Sequence, residues 1–477
     1  MKPTYRRFRR ERWHDKVCDA LRRQPADWWQ HAAKALKETA TREGVVVYTE
    51  TNTIHPVQIH LLPLLVTAGQ CHYLHLIGLR IRRTLNRLLR TWGEDPALQA
   101  VLPLSERERA WLAEVAPKGL PEPATVFERL DTNLSVEDPQ WHTALRVLEF
   151  NSVGVGCLHF MPVANLAAQE QIHSVLTAVL GESAWRLTTD PRVLLRKTLE
   201  AHAKAIGRKS LAVAFVERRE ISAGGADEML YLSEYFQAQG LHAVVVDPRD
   251  LDVRDGELVY KDGVVDLIYR DCALSEVISI EAHGGHMDAM KHAFAHNQVV
   301  SGLTGDFDHK SLLELLSNPA YDRYFTPSQR RTFHTFIPWT RLMRERTTAD
   351  PQGKEADLPA YARAHREGLV LKPNRAYGGQ DVTIGQDVSQ AAWDAAVATA
   401  VEQADAWVVQ EFVVLPQAAF VDGAGKEPAE EFVTVGFLST PEGIAFVGRS
   451  FTKKIVNISR GGSLVPIFQL RETEKNR

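Results

Sequence analysis

The sequence predicts a mixed α/β (α+β) protein with more than one domain, opening on a helical region. Three observations predict it. At 477 residues the chain is longer than a single hydrophobic core serves, so roughly two to four domains are expected. Apolar residues recur at helical spacing over residues 17–36 and 74–89. From residue 125 onward, short apolar runs alternate with helical stretches, the pattern of strand–helix layers.

Hydrophobic content of 44% and charged content of 24% are those of an ordinary globular protein. A net charge of −4 gives no reason to expect a nucleic-acid partner. Cys18, Cys71, Cys157 and Cys272 stand far apart with no Cys-x-x-Cys pair. Neither a zinc knuckle nor a disulfide framework is indicated, and a reducing, cytoplasmic compartment fits. The Arg-rich start, from Lys2 to Trp13, lacks the apolar stretch of a signal peptide. Residues 54–79 are the most apolar region, but His55, Gln58, His60, Gln70, His72 and His75 interrupt them. They read as a buried helical pair rather than a membrane span, so no membrane partner is expected. Arg80, Arg82, Arg83, Arg87 and Arg90 then read as a solvated basic helix face. Nothing in the sequence specifies an oligomeric state.

After Pro121 and Pro123 the pattern changes. Residues 125–131 and 145–152 read as strands, and 164–180 and 193–206 as helices. Next come strand 211–216, helix 228–238, strand 242–246, a hairpin turning at residues 255–256, and strand 264–269. This resembles a small doubly wound layer, without the Gly-x-Gly-x-x-Gly that a nicotinamide cofactor needs. The last section carries helices at 310–316 and 358–366, strand 368–373, a glycine turn at 377–379 and strand 382–385. Helix 389–402, strand 407–414 and two long strands, 431–439 and 443–452, precede a polar Gly-Gly loop. Residues 350–357 read as a flexible loop.

Four pieces carry chemistry. Arg129-Leu-Asp131 and Glu149-Phe-Asn151 each place two polar side chains on one face of a strand, since residues two apart share a face. If the strands pair, one cation and three oxygen donors converge, and Mg²⁺ favours such hard oxygens. Lys372 ends an apolar strand, and Tyr377-Gly378-Gly379 follow, a setting in which backbone N–H groups can approach a phosphate. It is no Walker loop, and Gly207-Arg-Lys-Ser210 has the wrong spacing for one. Val408-Val-Gln410-Glu411-Phe412-Val413 is an apolar strand with one acid, able to offer backbone groups to an adenine edge. Arg449, Asn457, Arg460, Gly461 and Gly462 supply cations, an amide and a flexible loop suited to phosphate and substrate oxygens.

In number and order these pieces resemble the circularly permuted ATP-grasp proteins, whose layout is similar to the synthetase half of glutathionylspermidine synthase. In ordinary ATP-grasp enzymes the Glu-x-Asn motif follows the nucleotide lysine. Here Glu149 and Asn151 precede Lys372, with the α/β layer between. The family's Arg-x-Asp strand is matched by Arg129 and Asp131, its Asp-x-x-Tyr-Arg strand by Asp266, Tyr269 and Arg270, and its helix-opening lysine by Lys310. The resemblance runs from about Phe127 to Pro466. It implies an ATP-grasp fold in permuted order: a metal-bearing part 125–208, a pre-ATP-grasp-like α/β domain 209–303, and a nucleotide-binding part with lid 304–477, behind a helical N-terminal region 1–124 that the resemblance does not cover.

The resemblance further implies ATP and Mg²⁺ as cofactors. Asp131, Glu149 and Asn151 would hold the metal, and Lys310 and Lys372 would contact the nucleotide phosphates. Glu411 and its neighbours would hold the adenine, and Arg129 would meet the phosphoryl group in transit. Arg449 joins Arg129 as a catalytic candidate; Arg270, Asn457, Arg460, Gly461 and Gly462 are substrate candidates. The implied activity is a carboxylate–amine ligase acting on a small-molecule or peptide acid and an amine through an acyl phosphate. The alternative is a non-catalytic nucleotide-binding or scaffold protein on the same fold. Val153-Gly-Val-Gly156 departs from the Asp-Ser-Pro-like stretch of relatives, so the acceptor pocket is expected to differ. His283, His286, His292 and His296 invite a transition-metal reading, but Ala293 stands where zincin chemistry needs a glutamate.

Overall fold

The computed structural model describes residues 13–48, 53–222 and 227–471, so most of the Arg-rich start lies outside the described residues. Helices and several sheets alternate along the chain. Among the described residues no helix is long and apolar enough to cross a membrane.

The centre is an antiparallel sheet that joins distant parts of the sequence. Strand Arg129–Thr132 pairs on one side with Val147–Asn151 and on the other with Ala429–Thr440. Gly443–Phe451 and Ser463–Leu464 extend the sheet beyond Ala429–Thr440, which also pairs with Gln417–Phe420. A second sheet is parallel, in the order Val299–Val300, Leu267–Arg270, Ala212–Val216, His242–Val246, with helices between the strands. A third is antiparallel, in the order Thr340–Leu342, Trp407–Glu411, Leu369–Pro373, Thr383–Ile384. Each layer has its own buried apolar cluster: Phe437 and Phe446 in the first, Ile268 and Phe294 in the second, Leu371 and Trp393 in the third. Fully burying one such side chain contributes about 1.5–3 kcal/mol.

The N-terminal third is woven into these layers. Helix Ala68–Leu89 opens on a Thr67/Gln70 capping box and buries Leu74, Ile77, Ile81 and Leu85. Its Gly78 lies against the central sheet; an added Cβ would come within 2.6 Å of the Ser439 Cβ, so only glycine permits this approach. Helix Glu106–Val115 sends Trp111 and Val115 into the core of the parallel sheet.

Three expectations are corrected. Residues 54–79 are not a helical pair. Leu64–Thr67 is a strand, parallel to Ile467–Leu470, and the helix starts only at Ala68. A short, mostly apolar run fits either element by periodicity, and the partner strand about 400 residues away decided it. Residues 350–357 are not merely a loop, because Thr347–Ala349 and Glu355–Asp357 close a hairpin there. The arginine row is not simply solvated. Arg80 donates to Ser328 and Thr332, Arg87 to the Tyr324 carbonyl, and Arg90 pairs with Glu122. Arg82 is buried on Glu128.

Candidate functional site

Register builds the first wall of a cavity. Pairing sets Arg129 opposite Asn151 and Asp131 opposite Glu149, so the four polar side chains occupy one face. Arg449 joins from the next strand but one, where it stands opposite Thr434. Arg129 donates from Nε to Asp131 Oδ1 at 2.7 Å and from Nη1 to the Gly156 carbonyl at 2.8 Å. Arg449 Nη2 reaches Asp131 Oδ2 at 2.7 Å, and Asn151 Nδ2 donates to the same oxygen at 3.2 Å. Burial opposes the charge on Asp131, but the two guanidiniums outweigh it and hold the carboxyl well below the usual carboxylate range. Gly436 stands opposite Asp131; a Cβ there would come within 2.6 Å of Asp131 Oδ1 and 2.7 Å of Arg129 Cδ. The cluster therefore requires a glycine on the neighbouring strand.

The second wall carries two ammonium groups. Lys372 comes from strand Leu369–Pro373 and donates to Gln410 Oε1 at 2.7 Å, while Gln410 Nε2 donates to Thr340 Oγ1. Burial pushes the Lys372 ammonium down to about 8; Glu149 and Asp131 oppose the shift and Lys310 adds to it. Lys310 Nζ lies 3.8 Å from Glu149 Oε2 and donates to the Ala376 carbonyl at 2.5 Å. The turn after Lys372 needs its glycines, since Gly378 and Gly379 have φ of 69° and 68°.

One cavity lies between these walls. Arg129, Asp131, Glu149, Asn151, Lys310, Lys372, Gly378, Gly379, Gln410, Phe412, Val413, Arg449 and Asn457 all line it. Other expected residues fall outside. Glu411 is exposed on the opposite face of its strand, as alternation with Gln410 requires. Arg270 is fully buried against Asp306 at 2.5 Å and against the carbonyls of Cys272, Ser301 and Gly302. Tyr377 turns its hydroxyl to Asp308 Oδ1 at 3.1 Å. Arg460 and Gly461 are exposed beyond Asn457, and Gly462 packs on the Asn457 backbone.

Sequence reading missed Thr434, Lys454 and Ile455 in the lining. Lys454 Nζ sits 5.7 Å from the centre of the Phe412 ring and pairs with Asp387. Nothing local marks Lys454, because its partners Asp387 and Phe412 lie dozens of residues away in sequence. It also missed Asp308, which accepts from the Ser152 N–H at 2.9 Å and from Tyr377. Burial raises its carboxyl to about 6.

Asp131, Glu149 and Asn151 offer two carboxylates and an amide, a hard-oxygen set that suits Mg²⁺. Asp131 shares its oxygens with Arg129 and Arg449, which leaves Glu149 and Asn151 the freer donors. Among the described residues no group of three or more His, Cys, Asp and Glu side chains is arranged to hold a metal ion. His292 and His296 stack on each other with ring centres 4.0 Å apart.

No protein-family model matches the chain, and no curated protein matches it. Solved structures do. One is a glutathione synthetase-like effector from Globodera pallida in its apo form, with a TM-score of 0.59 at 10% sequence identity. The superposition covers 94% of this chain and 98% of that one. The chain thus shares the fold of that protein over nearly its whole length.

Proposed function

We propose that the protein is an ATP- and Mg²⁺-dependent carboxylate–amine ligase of the ATP-grasp type, with its ATP-grasp elements in permuted order. The observation that carries this reading is the shared cavity. Arg129, Asp131, Glu149 and Asn151 meet Lys310, Lys372 and Arg449 there, although up to 320 positions of sequence separate Arg129 from Arg449.

In this reading Lys310 and Lys372 hold the terminal phosphates of ATP, and Gln410, Phe412 and Val413 border its base. Glu149, Asn151 and Asp131 are the metal donors; bound there, Mg²⁺ would neutralise phosphate charge. Joining an acid to an amine is uphill in water, so the acid is first phosphorylated and the amine then displaces phosphate. Arg129 and Arg449 face the region between the lysines and the metal donors, where they neutralise charge on the phosphoryl group in transit. The Gly378–Gly379 turn excludes water. Reaction at the γ-phosphate releases ADP and phosphate. An adenylating enzyme would instead release AMP and pyrophosphate.

The test is phosphate release from ATP and Mg²⁺ across a panel of amino acids, peptides and polyamines. Release that requires both an acid and an amine, with ADP as the nucleotide product, is expected. With ¹⁸O-labelled carboxylate, label should pass to phosphate; label in AMP overturns the mechanism. The Asp131 carboxylate, already shared between two guanidiniums, favours one rival reading, a nucleotide-binding protein without turnover. ATP binding without any acid-dependent turnover across the panel would support that rival.

A further inference from the structure

The segments bearing the two lysines are fastened side by side. The Lys310 N–H donates to the Asn374 carbonyl at 2.9 Å, and the Ser311 N–H donates to Asn374 Oδ1 at 2.8 Å. Lys310 Nζ donates to the Ala376 carbonyl at 2.5 Å, and Tyr377 donates to Asp308 at 3.1 Å. Asn374 is itself held from behind, with its N–H on the Ala406 carbonyl at 2.7 Å and its Nδ2 on the Asp405 carbonyl at 3.1 Å. Four bonds thus set the Lys310 ammonium against the loop that leaves Lys372.

Arg375 stands in the middle of this fastening and does not line the cavity. Its guanidinium turns away and forks onto Glu108, Nη1 to Oε2 at 2.8 Å and Nη2 to Oε1 at 2.5 Å. Glu108 lies on helix Glu106–Val115 of the N-terminal region, 267 positions earlier, and is 2% exposed. Its Oε2 also accepts the Ser105 N–H at 2.8 Å, so the capping box that starts the helix fixes the carboxylate as well. Burial opposes its charge, yet Arg375 prevails and the carboxyl falls to about 2, so the pair is ionised at neutral pH. A partly buried ion pair of this kind adds little net stability over an apolar pair, while a bidentate fork fixes geometry.

We infer that Glu108 is a positioning residue of the nucleotide site: through Arg375 it holds residues 374–379 in register, so that Lys310 and Lys372 face one cavity. The N-terminal helical region then completes that site. The inference rests on the ligase reading only for what fills the cavity.

Amide hydrogen exchange and ATP titration on the full-length protein test it. Glu108→Gln keeps shape and removes the charge; Arg375→Lys keeps the charge and removes the fork. In both variants exchange at residues 374–382 should accelerate by roughly tenfold, the size expected for losing a charge-assisted fork, with residues 212–216 and 267–270 unchanged. The Kd for ATP should rise by about the same factor. Unchanged loop exchange in both variants overturns the inference. So does exchange that rises equally everywhere, which would mark a purely structural pair, and so does a loosened loop with unchanged Kd. If the unaltered protein binds no ATP, the ligase reading falls, and the exchange pattern alone decides whether the clamp stands.

Discussion

The two walls of the cavity solve the problem of buried charge in opposite ways. On the sheet wall, Asp131 sits between two guanidiniums and an amide, and cation and anion compensate each other in the absence of any ligand. On the lysine wall, Lys372 has a neutral Gln410 oxygen as its nearest partner, and burial holds its ammonium well below the ordinary lysine range. The difference teaches which wall needs a ligand. The Asp131 cluster is satisfied as it stands and leaves Glu149 to a metal ion, whereas the lysine wall carries a buried cation, only partly offset by Glu149 and Asp131, that an anion would satisfy.

Four measurements break or sharpen this contrast. The largest effect falls on Glu149, which stands 3.8 Å from Lys310. Glu149→Gln and Asn151→Ala should each lower Mg²⁺-dependent turnover by about two to three orders of magnitude with the fold intact. Wild-type turnover at limiting Mg²⁺ in either variant removes the metal assignment. Next, Asp131→Asn strips the counter-charge from two buried guanidiniums and should destabilise the protein by about 3 kcal/mol. Urea unfolding reads this directly, and an unchanged midpoint would mean that the sheet wall is not compensated as described.

Lys372→Met should act with the opposite sign. ATP affinity falls by roughly ten- to a hundredfold, since a charge-assisted contact is lost, while the ligand-free protein melts higher. Calorimetry reads both, and a lowered Tm would contradict the only partly offset cation. The smallest effect is in pH. The folded ammonium of Lys372 titrates near 8 and the unfolded one near 10.5, so between those values the unfolded state binds more protons. Stability of the wild type relative to Lys372→Met should therefore rise as pH increases through that window, and the deficit should be fully present below it. ATP binding near pH 8 should draw a proton into the site, measurable as a binding enthalpy that varies with the buffer's ionisation enthalpy. An enthalpy independent of buffer would remove Lys372 from the anion contact.

Local pattern made much of the fold legible. Helix Glu228–Ala238 and strand His242–Val246 fall on the residues where periodicity placed them. Leu64–Thr67 did not, because so short and mostly apolar a run carries no period of its own. In the site, Arg129 with Asp131 and Glu149 with Asn151 were legible as same-face pairs, and the glycines after Lys372 as a turn. The outward turn of Glu411 was not legible, because the apolar strand hid which of its faces turns inward. Glu108 was invisible as a site residue, since its local role is to cap its own helix with Ser105.

By itself the sequence determined what depends on neighbours along the chain. Alternation put Arg129 with Asp131, the caps at Thr67 and Ser105 started helices, and Gly378 and Gly379 allowed left-handed backbone. The tertiary structure alone decided what depends on which strand lies next to which. It set Ala429–Thr440 beside Arg129–Thr132, brought Arg449 to Asp131, and ran Leu64–Thr67 along Ile467–Leu470. It also carried Glu108 across 267 positions to Arg375. The physical reason is range: backbone geometry acts over a few residues, whereas charge compensation and strand pairing act between groups that only folding brings together.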